Sequence, residues 1–154
     1  MGEEPESAGA SRRARLAAAL ALSWPQRGLL VEAMVSLAVM RVGILVLPFR
    51  RLERLARRPA KIRHRPSDTA QGVAWAVRVA SRYFPGGTCL TESLATQVLL
   101  SRRGLPWTMT LGVRRNVAGR FEAHAWVESA GEIVSGGRQA GEFVSLATFE
   151  GLQP

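Results

Sequence analysis

The chain has 154 residues, of which 47% are hydrophobic and 21% charged, a composition that is typical of a globular domain with its own core and argues against a disordered protein. Its formal net charge of +9 is uneven, since residues 1–65 contain 13 Lys and Arg against 5 Asp and Glu, whereas residues 66–154 contain 8 against 7. The single cysteine, Cys89, excludes an intrachain disulfide and favours a reducing, cytoplasmic setting.

The basic N-terminal part of the chain is predicted to be helical. Residues 1–10 are small and acidic and are expected to form a disordered tail, and residues 11–65 are expected to form a basic helical segment that docks other molecules. The excess positive charge fits either a solvated basic face or a surface for an acidic peptide, an acidic partner or anionic lipid.

The most apolar stretch of the chain is residues 29–47, which is about long enough to span a bilayer. Glu32 and Arg41 lie inside it, and a charge at the centre of a membrane span costs about 2.5–3.5 kcal/mol on insertion scales. We therefore expect a helix that packs against protein, against a partner, or along a membrane surface as a peripheral contact. Pro48 ends this helix, and residues 49–58 predict a short basic amphipathic helix.

A nearly neutral second domain is predicted for residues 66–154. Residues 59–68 contain two prolines and several basic residues, which is typical of a linker, so the domain boundary is placed there. A stripe of apolar residues predicts a helix over about residues 69–83, capped by Ser67 or Asp68.

A Pro-Gly-Gly sequence at residues 85–87 stops that helix, and a further helix is predicted from Thr88 or Cys89 to Arg103. The apolar periodicity then changes to two, which predicts strands at residues 108–114, 120–128 and 132–135, with a last short helix or strand at residues 143–150. Helices followed by an antiparallel meander indicate an α+β fold.

Cys89 is the first candidate catalytic residue, because it directly follows the Pro-Gly-Gly-Thr turn at the predicted start of a helix. Unpaired amide donors and the positive end of the helix dipole favour a thiolate there, and the same amides can bind the oxyanion that forms when a thiolate attacks a carbonyl. The alternative is a buried structural cysteine. Glu92, in the same helical turn, would oppose a thiolate if its side chain pointed at the sulfur.

His124 is the second candidate, in the segment RFEAHAWVE. Strand alternation puts it on a polar and aromatic face with Glu122, Trp126 and Glu128, which suits a general base, although alone it is more typical of a half-exposed surface histidine. A cysteine at a helix start, followed about 35 residues later by a histidine within a strand, is the chain order of papain-type sites. The sequence offers no closed metal-ligand set and no glycine-rich phosphate loop, so neither a metal nor a cofactor is expected.

Three segments carry a resemblance to a known family, namely TCLTESLATQVLLSRRGLPWTMTLGV, FEAHAWVE and GEIVSGG. They resemble the transglutaminase-like leader peptidases of lasso-peptide biosynthesis, and the likeness extends from Trp24 to about Leu146. The resemblance implies a transglutaminase-like, papain-type core with an N-terminal helical segment. It also implies a thiol protease that removes the leader from a ribosomally made precursor, with Cys89 as nucleophile and His124 as base and later acid.

The group that orients His124 departs from the family pattern. Many relatives carry an aspartate on the next strand, about a dozen residues after the histidine, whereas residues 135–137 here are Ser-Gly-Gly. The substitute could be Glu122, Glu128, Glu132 or a backbone carbonyl. Glu122, two residues from His124 on the same face, is the predicted third member of the site.

The resemblance further implies partners. The precursor leader peptide would be the substrate, a separate leader-recognition protein is expected because nothing in the chain resembles that domain, and an ATP-dependent, asparagine-synthetase-like lasso cyclase would join the freed amine to a side-chain carboxylate. Nucleic acid is not expected as a partner, because the apolar run at residues 29–47 does not suit a basic nucleic-acid adaptor. The main rival is a non-catalytic interaction scaffold with a degenerate transglutaminase-like fold, which the missing aspartate motivates.

Overall fold

The computed structural model describes residues 22–57, 69–84 and 88–151. The expected disordered tail, the beginning of the basic helical segment up to residue 21, the linker at 59–68 with its domain boundary, and the Pro-Gly-Gly turn lie outside the described residues.

Four α-helices come first in the described part of the chain: α1 (Trp24–Val46), α2 (Phe49–Ala56), α3 (Ala70–Ser81) and α4 (Cys89–Arg102). Pro25 lies in the first turn of α1, where its missing N–H has no helical partner to lose, and Pro48 separates α1 from α2. Thr69 caps α3, in place of the expected residues 67 or 68, because its Oγ1 accepts a hydrogen bond from Gly72 N at 3.0 Å.

A four-stranded antiparallel sheet follows, with strands β1 (Trp107–Arg115), β2 (Phe121–Ser129), β3 (Glu132–Ser135) and β4 (Val144–Gly151) in the order β3-β2-β1-β4. A 3-10 helix, Gly137–Glu142, connects β3 to β4. The β2–β3 turn has φ values of 51° at Ala130 and 82° at Gly131, the two positive values of a type I′ hairpin. The segment 143–150, which the sequence left open, is a strand because it pairs with β1.

The helices and the sheet share one hydrophobic core. Its buried members include Ala33 and Leu37 of α1, Val73 and Val77 of α3, Leu94 and Leu99 of α4, and Met109 and Val127 of the sheet. Helix α1 is also tied to the end of α4 by an ion pair, in which Arg103 Nη2 donates to Glu32 Oε2 at 2.8 Å. The α+β fold predicted from the sequence is confirmed, and α1 belongs to the same core as the strands.

Helix α1 has two different sides. By length and composition alone it could cross a membrane, yet its inner side is buried against α3 and α4. On its outer side, more than half of the surface of each of several large apolar side chains is exposed, namely Val31, Val35, Val39, Val42 and Leu45. The helix is therefore a core element that also presents an apolar surface.

Candidate active site

Cys89 is the first residue of α4 and is partly buried. Thr88 precedes it in an extended conformation and caps the helix, since its Oγ1 accepts from Thr91 N at 3.3 Å and its carbonyl accepts from Glu92 N at 3.1 Å. The N–H groups of Cys89 and Leu90 have no acceptor within the helix, because the carbonyls four residues earlier lie outside it. The thiol therefore lies at a helix start, as predicted, next to amides that have no acceptor within the helix and to the positive end of the helix dipole.

His124 lies in β2, directly opposite Gly112 of β1. Its ring stacks on Trp126, with centroids 6.2 Å apart and an interplanar angle of 23°, and its centroid is 5.1 Å from that of Phe143. Gly112 makes room for this cluster, because a Cβ there would come within 2.9 Å of both Phe143 Cβ and Trp126 Cζ3. The two aromatic contacts restrict how the imidazole can turn.

A backbone carbonyl orients the imidazole. His124 Nε2 lies 2.7 Å from Gly136 O, and because a carbonyl only accepts, Nε2 carries the proton and donates it. In the neutral ring this leaves the lone pair on Nδ1, which is then the basic nitrogen. Gly136 has φ 74° and ψ 11°, and a Cβ there would meet Ala125 O and come within 2.9 Å of Trp126 Cα. Only glycine therefore fits this left-handed position, which lies twelve residues after His124.

The structure does not bring Glu122, the predicted third member, to His124. Its carboxylate accepts hydrogen bonds from Asn116 Nδ2 and Arg114 Nε, both at 2.9 Å. These bonds, with that from Asn116 the stronger influence, hold the pKa of the Glu122 carboxyl below its ordinary value. Arg114 stands opposite Glu122 in the β1–β2 register, so the pair fastens the hairpin. The hydrogen bond to the His124 imidazole is made by the carbonyl of Gly136 and not by Glu122.

The other two carboxylates that the sequence left open are also engaged elsewhere. Glu132 Oε2 accepts from Gln71 Nε2 at 3.1 Å, which ties β3 to α3. Glu128 Oε1 accepts from Trp126 Nε1 at 3.0 Å. Since Trp126 stacks on His124, Glu128 supports the imidazole only through the ring between them. Of the alternatives considered, the backbone carbonyl is the one that contacts His124.

Cys89 and His124 line the same cavity, which has a volume of about 830 Å³. Helix α4 supplies Cys89 and Glu92, strand β2 supplies His124, and residues 133–137 form a further wall. Another side is closed by Ala74, Arg78 and Ser81 of helix α3 and by Arg82, which directly follows it. A cavity of this size is within the usual range for ligand sites. The fold thus brings together two groups that are about 35 residues apart in the sequence.

Sequence reasoning did not identify Phe143, Arg78 or Arg82 as site residues. The two arginines are four residues apart in a predicted helix and so must share a face, which was a usable signal. Tertiary packing decides which face of the helix borders Cys89, and the spacing of the two arginines in the sequence gives no information about that packing. Phe143 follows the 3-10 helix, and no local pattern indicates that this segment returns to His124.

A family model described as the transglutaminase-like superfamily matches residues 33–148. The chain belongs to this superfamily. The matched region begins within α1, ends within β4 and contains both Cys89 and His124. No curated protein and no solved structure matches the chain significantly.

The transglutaminase-like superfamily includes cysteine peptidases and transferases. Both reactions pass through attack of a thiolate on a carbonyl, and the cavity is lined by a cysteine and a histidine, the residue types that this step uses. Cys89 carries a thiol, His124 donates from Nε2 to Gly136 O and so has its lone pair on Nδ1, and amides without a helical acceptor at the start of α4 are donors of the kind that can bind an oxyanion.

Proposed function

We propose that this protein is a cysteine peptidase that removes the leader from a ribosomally made lasso-peptide precursor. The observation that carries the proposal is the cavity shared by Cys89 and His124, in which His124 Nε2 bonds to Gly136 O and Nδ1 is kept for proton transfer. No oxidant, metal or cofactor is required for this reaction, since thiol and imidazole supply both the nucleophile and the proton carrier.

In the proposed reaction, Cys89 gives its proton to His124 Nδ1, and Sγ attacks the scissile carbonyl carbon. The oxyanion is bound by amides at the start of α4, and collapse of the intermediate breaks the C–N bond as the leaving amine takes the proton from Nδ1. Water then attacks the thioester, gives a proton to Nδ1, and displaces the thiolate, which takes that proton back from Nδ1, while the new carboxylic acid loses its proton to solvent. The leader leaves with a new carboxylate, the core peptide leaves with a new amino terminus, and both catalytic groups return to their starting states.

The finer assignment to leader removal is supported by the three segments that carry the family resemblance. The segments at residues 88–113, 121–128 and 131–137 lie apart in the sequence, and each contributes residues to the cavity. Each of the three segments therefore contributes at least one residue to the site of the proposed reaction.

The proposal includes partners and a compartment. A separate leader-recognition protein would deliver the precursor, and an asparagine-synthetase-like cyclase would consume the freed amine together with ATP, which suits the cytoplasm. The outer side of α1 supports a docking role, because its row of exposed apolar side chains is unusual for a surface that stays in water. We assign this surface to the leader-recognition protein. Peripheral membrane contact through residues 29–47 is the competing use of the same side.

Leader cleavage by the purified protein tests the proposal, with the precursor and leader-recognition protein of the same gene neighbourhood added and the products identified by mass spectrometry. Wild type should release the leader, and Cys89→Ala and His124→Ala should abolish release while unfolding at the same denaturant concentration as wild type. His64→Ala, which alters the other histidine of the chain, is the matched control and should cleave normally. Cleavage by purified Cys89→Ala would refute the assignment.

A non-catalytic scaffold is the second candidate, favoured by the absence of a carboxylate from residues 135–137. Alkylation distinguishes the two functions, because Cys89 is the only thiol in the chain and every label reports on it. If the protein is a peptidase, Cys89 should react rapidly with iodoacetamide near neutral pH. The substitution His124→Ala should lower that rate about tenfold or more. A thiol that reacts slowly in both proteins would favour the scaffold.

A further inference from the structure

Two arginines of α3 face the cavity that contains Cys89 and His124. Arg78 lies in the last turn of α3 and Arg82 directly follows the helix, and both line the cavity. Their spacing of four residues puts them on one side of the helix, so two guanidinium groups border the same opening.

Neither arginine has a carboxylate partner among the described residues, and both are exposed. Elsewhere in the described chain, Arg103 is paired with Glu32 and Arg114 with Glu122. Arginines at the C-terminal end of a helix stabilise it through the helix dipole, but that effect does not require the side chains to border a cavity.

The charge along the cavity wall favours an anionic ligand. Among the described lining residues, Glu92 is the one carboxylate, against Arg78 and Arg82 on the opposite helix, and no ion pair joins it to either of them. A guanidinium group presents its N–H donors in a planar fork that matches a carboxylate and binds it through two hydrogen bonds. The guanidinium groups of Arg78 and Arg82, which form no ion pair among the described residues, therefore fit a carboxylate of a bound ligand.

We propose that Arg78 and Arg82 bind a carboxylate of the peptide substrate, an Asp or Glu side chain close to the scissile bond, and so determine which peptides are cleaved. The proposal rests on the proposed function for the statement that the ligand is a peptide. The statement that the cavity attracts anions does not depend on the proposed function. Anion binding and peptide specificity can therefore be tested separately.

The first experiment needs no substrate. Iodoacetate and iodoacetamide alkylate the same thiol, but only iodoacetate is negatively charged, so the ratio of their rates at Cys89 reports the potential in the cavity. Replacing both arginines with glutamine (Arg78→Gln with Arg82→Gln) should lower the iodoacetate-to-iodoacetamide ratio about 3- to 10-fold at low ionic strength, and less at high salt. An unchanged ratio would overturn the proposal.

The matched control uses another exposed pair of arginines with the same spacing. Arg50 and Arg54 of α2 are exposed, lie four residues apart and do not line the cavity. Replacing both with glutamine removes the same net charge and should leave the ratio within about 1.5-fold of wild type, since screened surface charges act weakly at a distance. An equal effect of the two double variants would mean that only total charge matters and would likewise overturn the proposal.

The second experiment tests the peptide directly. Wild type should cleave a mixed peptide library preferentially at bonds with Asp or Glu within about four residues, and reversing both charges (Arg78→Glu with Arg82→Glu) should shift the preference to Lys or Arg. Cleavage with the same residue preference in both proteins would refute the specificity role. If wild type cleaves no peptide in the presence of its leader-recognition protein, the peptidase proposal fails, and the alkylation ratio still decides whether the arginines attract anions.

Discussion

Replacing Gly136 with alanine tests whether a left-handed glycine holds the carbonyl that orients His124. A non-glycine residue in this region of φ and ψ costs about 1–2 kcal/mol. The new Cβ would also meet Ala125 O and approach Trp126 Cα within 2.9 Å, both of them backbone atoms of β2 that cannot rotate away. Together we expect a loss of about 2–4 kcal/mol in the free energy of unfolding.

The same change should impair the site more than the fold. Relief of the clash requires residue 136 to move away from β2, which lengthens the 2.7 Å contact between its carbonyl and His124 Nε2. Misplacing a catalytic group by about 1 Å costs on the order of 100-fold in rate. We therefore expect kcat/KM for leader cleavage, or the alkylation rate of Cys89 if the substrate is not in hand, to fall about 10- to 1000-fold.

Gly119 provides the matched control. It has φ 76°, nearly the value at Gly136, but nothing lies within 4 Å of a Cβ built on it. Gly119→Ala should therefore lose only about 1–2 kcal/mol and keep its reaction rate. Urea denaturation gives the stability of both variants and stopped-flow alkylation gives the rates. The reasoning is refuted if Gly136→Ala is no less stable than Gly119→Ala and reacts as fast as wild type.

Three further predictions concern stability. Gln97 is fully buried and neither atom of its amide has a hydrogen-bond partner among the described residues, so Gln97→Met should raise the free energy of unfolding by about 1–2 kcal/mol; a loss on urea denaturation would contradict this. Glu32→Gln weakens the ion pair of the buried Arg103 and should cost about 1–2 kcal/mol, and an unchanged urea midpoint would argue against it. The hydrogen bond from Asn116 holds the pKa of the Glu122 carboxyl below its ordinary value of 4.5. The ionised carboxylate therefore stabilises the folded protein at pH values above 4.5, and this stabilisation is lost as the pH falls through the lowered pKa of the folded state. The stability difference between wild type and Glu122→Gln should therefore shrink between pH 6 and pH 3, and a constant difference would disprove the linkage.

Much of the fold could be predicted because its signals are local. The change of apolar period from helical to alternating gave β1, β2 and β3 close to their observed bounds, and the turn before Cys89 gave the start of α4. The strand at Val144–Gly151 could not be distinguished from a helix, because it is defined by pairing with β1, more than 30 residues earlier. Its outward side chains at Val144 and Leu146 are apolar and exposed, which blurs the alternation that marks a half-buried strand.

In the candidate site, too, the features set by the local sequence could be predicted, and those set by tertiary contacts could not. The placement of Cys89 at a helix start and of His124 within a strand could be predicted, because the local sequence pattern sets both elements. Glu122 was assigned to His124 from its spacing on one strand, but the cross-strand register puts Arg114 opposite it, and an arginine competes strongly for a carboxylate. Gly136 contacts His124 through its backbone carbonyl oxygen, which every residue type has. The glycine in the sequence indicates only that a positive φ is permitted there, and so the contact could not be predicted.

The exchange of an aspartate for a backbone carbonyl has a chemical consequence. A carboxylate both orients the imidazole and stabilises the imidazolium that forms when the nucleophile loses its proton. The carbonyl of Gly136 accepts a hydrogen bond from Nε2 and so also orients the ring, but it is neutral and stabilises the imidazolium less. Papain-like proteases work with an asparagine in this position, whose amide oxygen is likewise a neutral carbonyl acceptor, because a thiol gives up its proton far more readily than a serine hydroxyl. The missing aspartate is therefore compatible with catalysis by Cys89, provided that the amides at the start of α4 supply the electrostatic stabilisation that the carboxylate would have added.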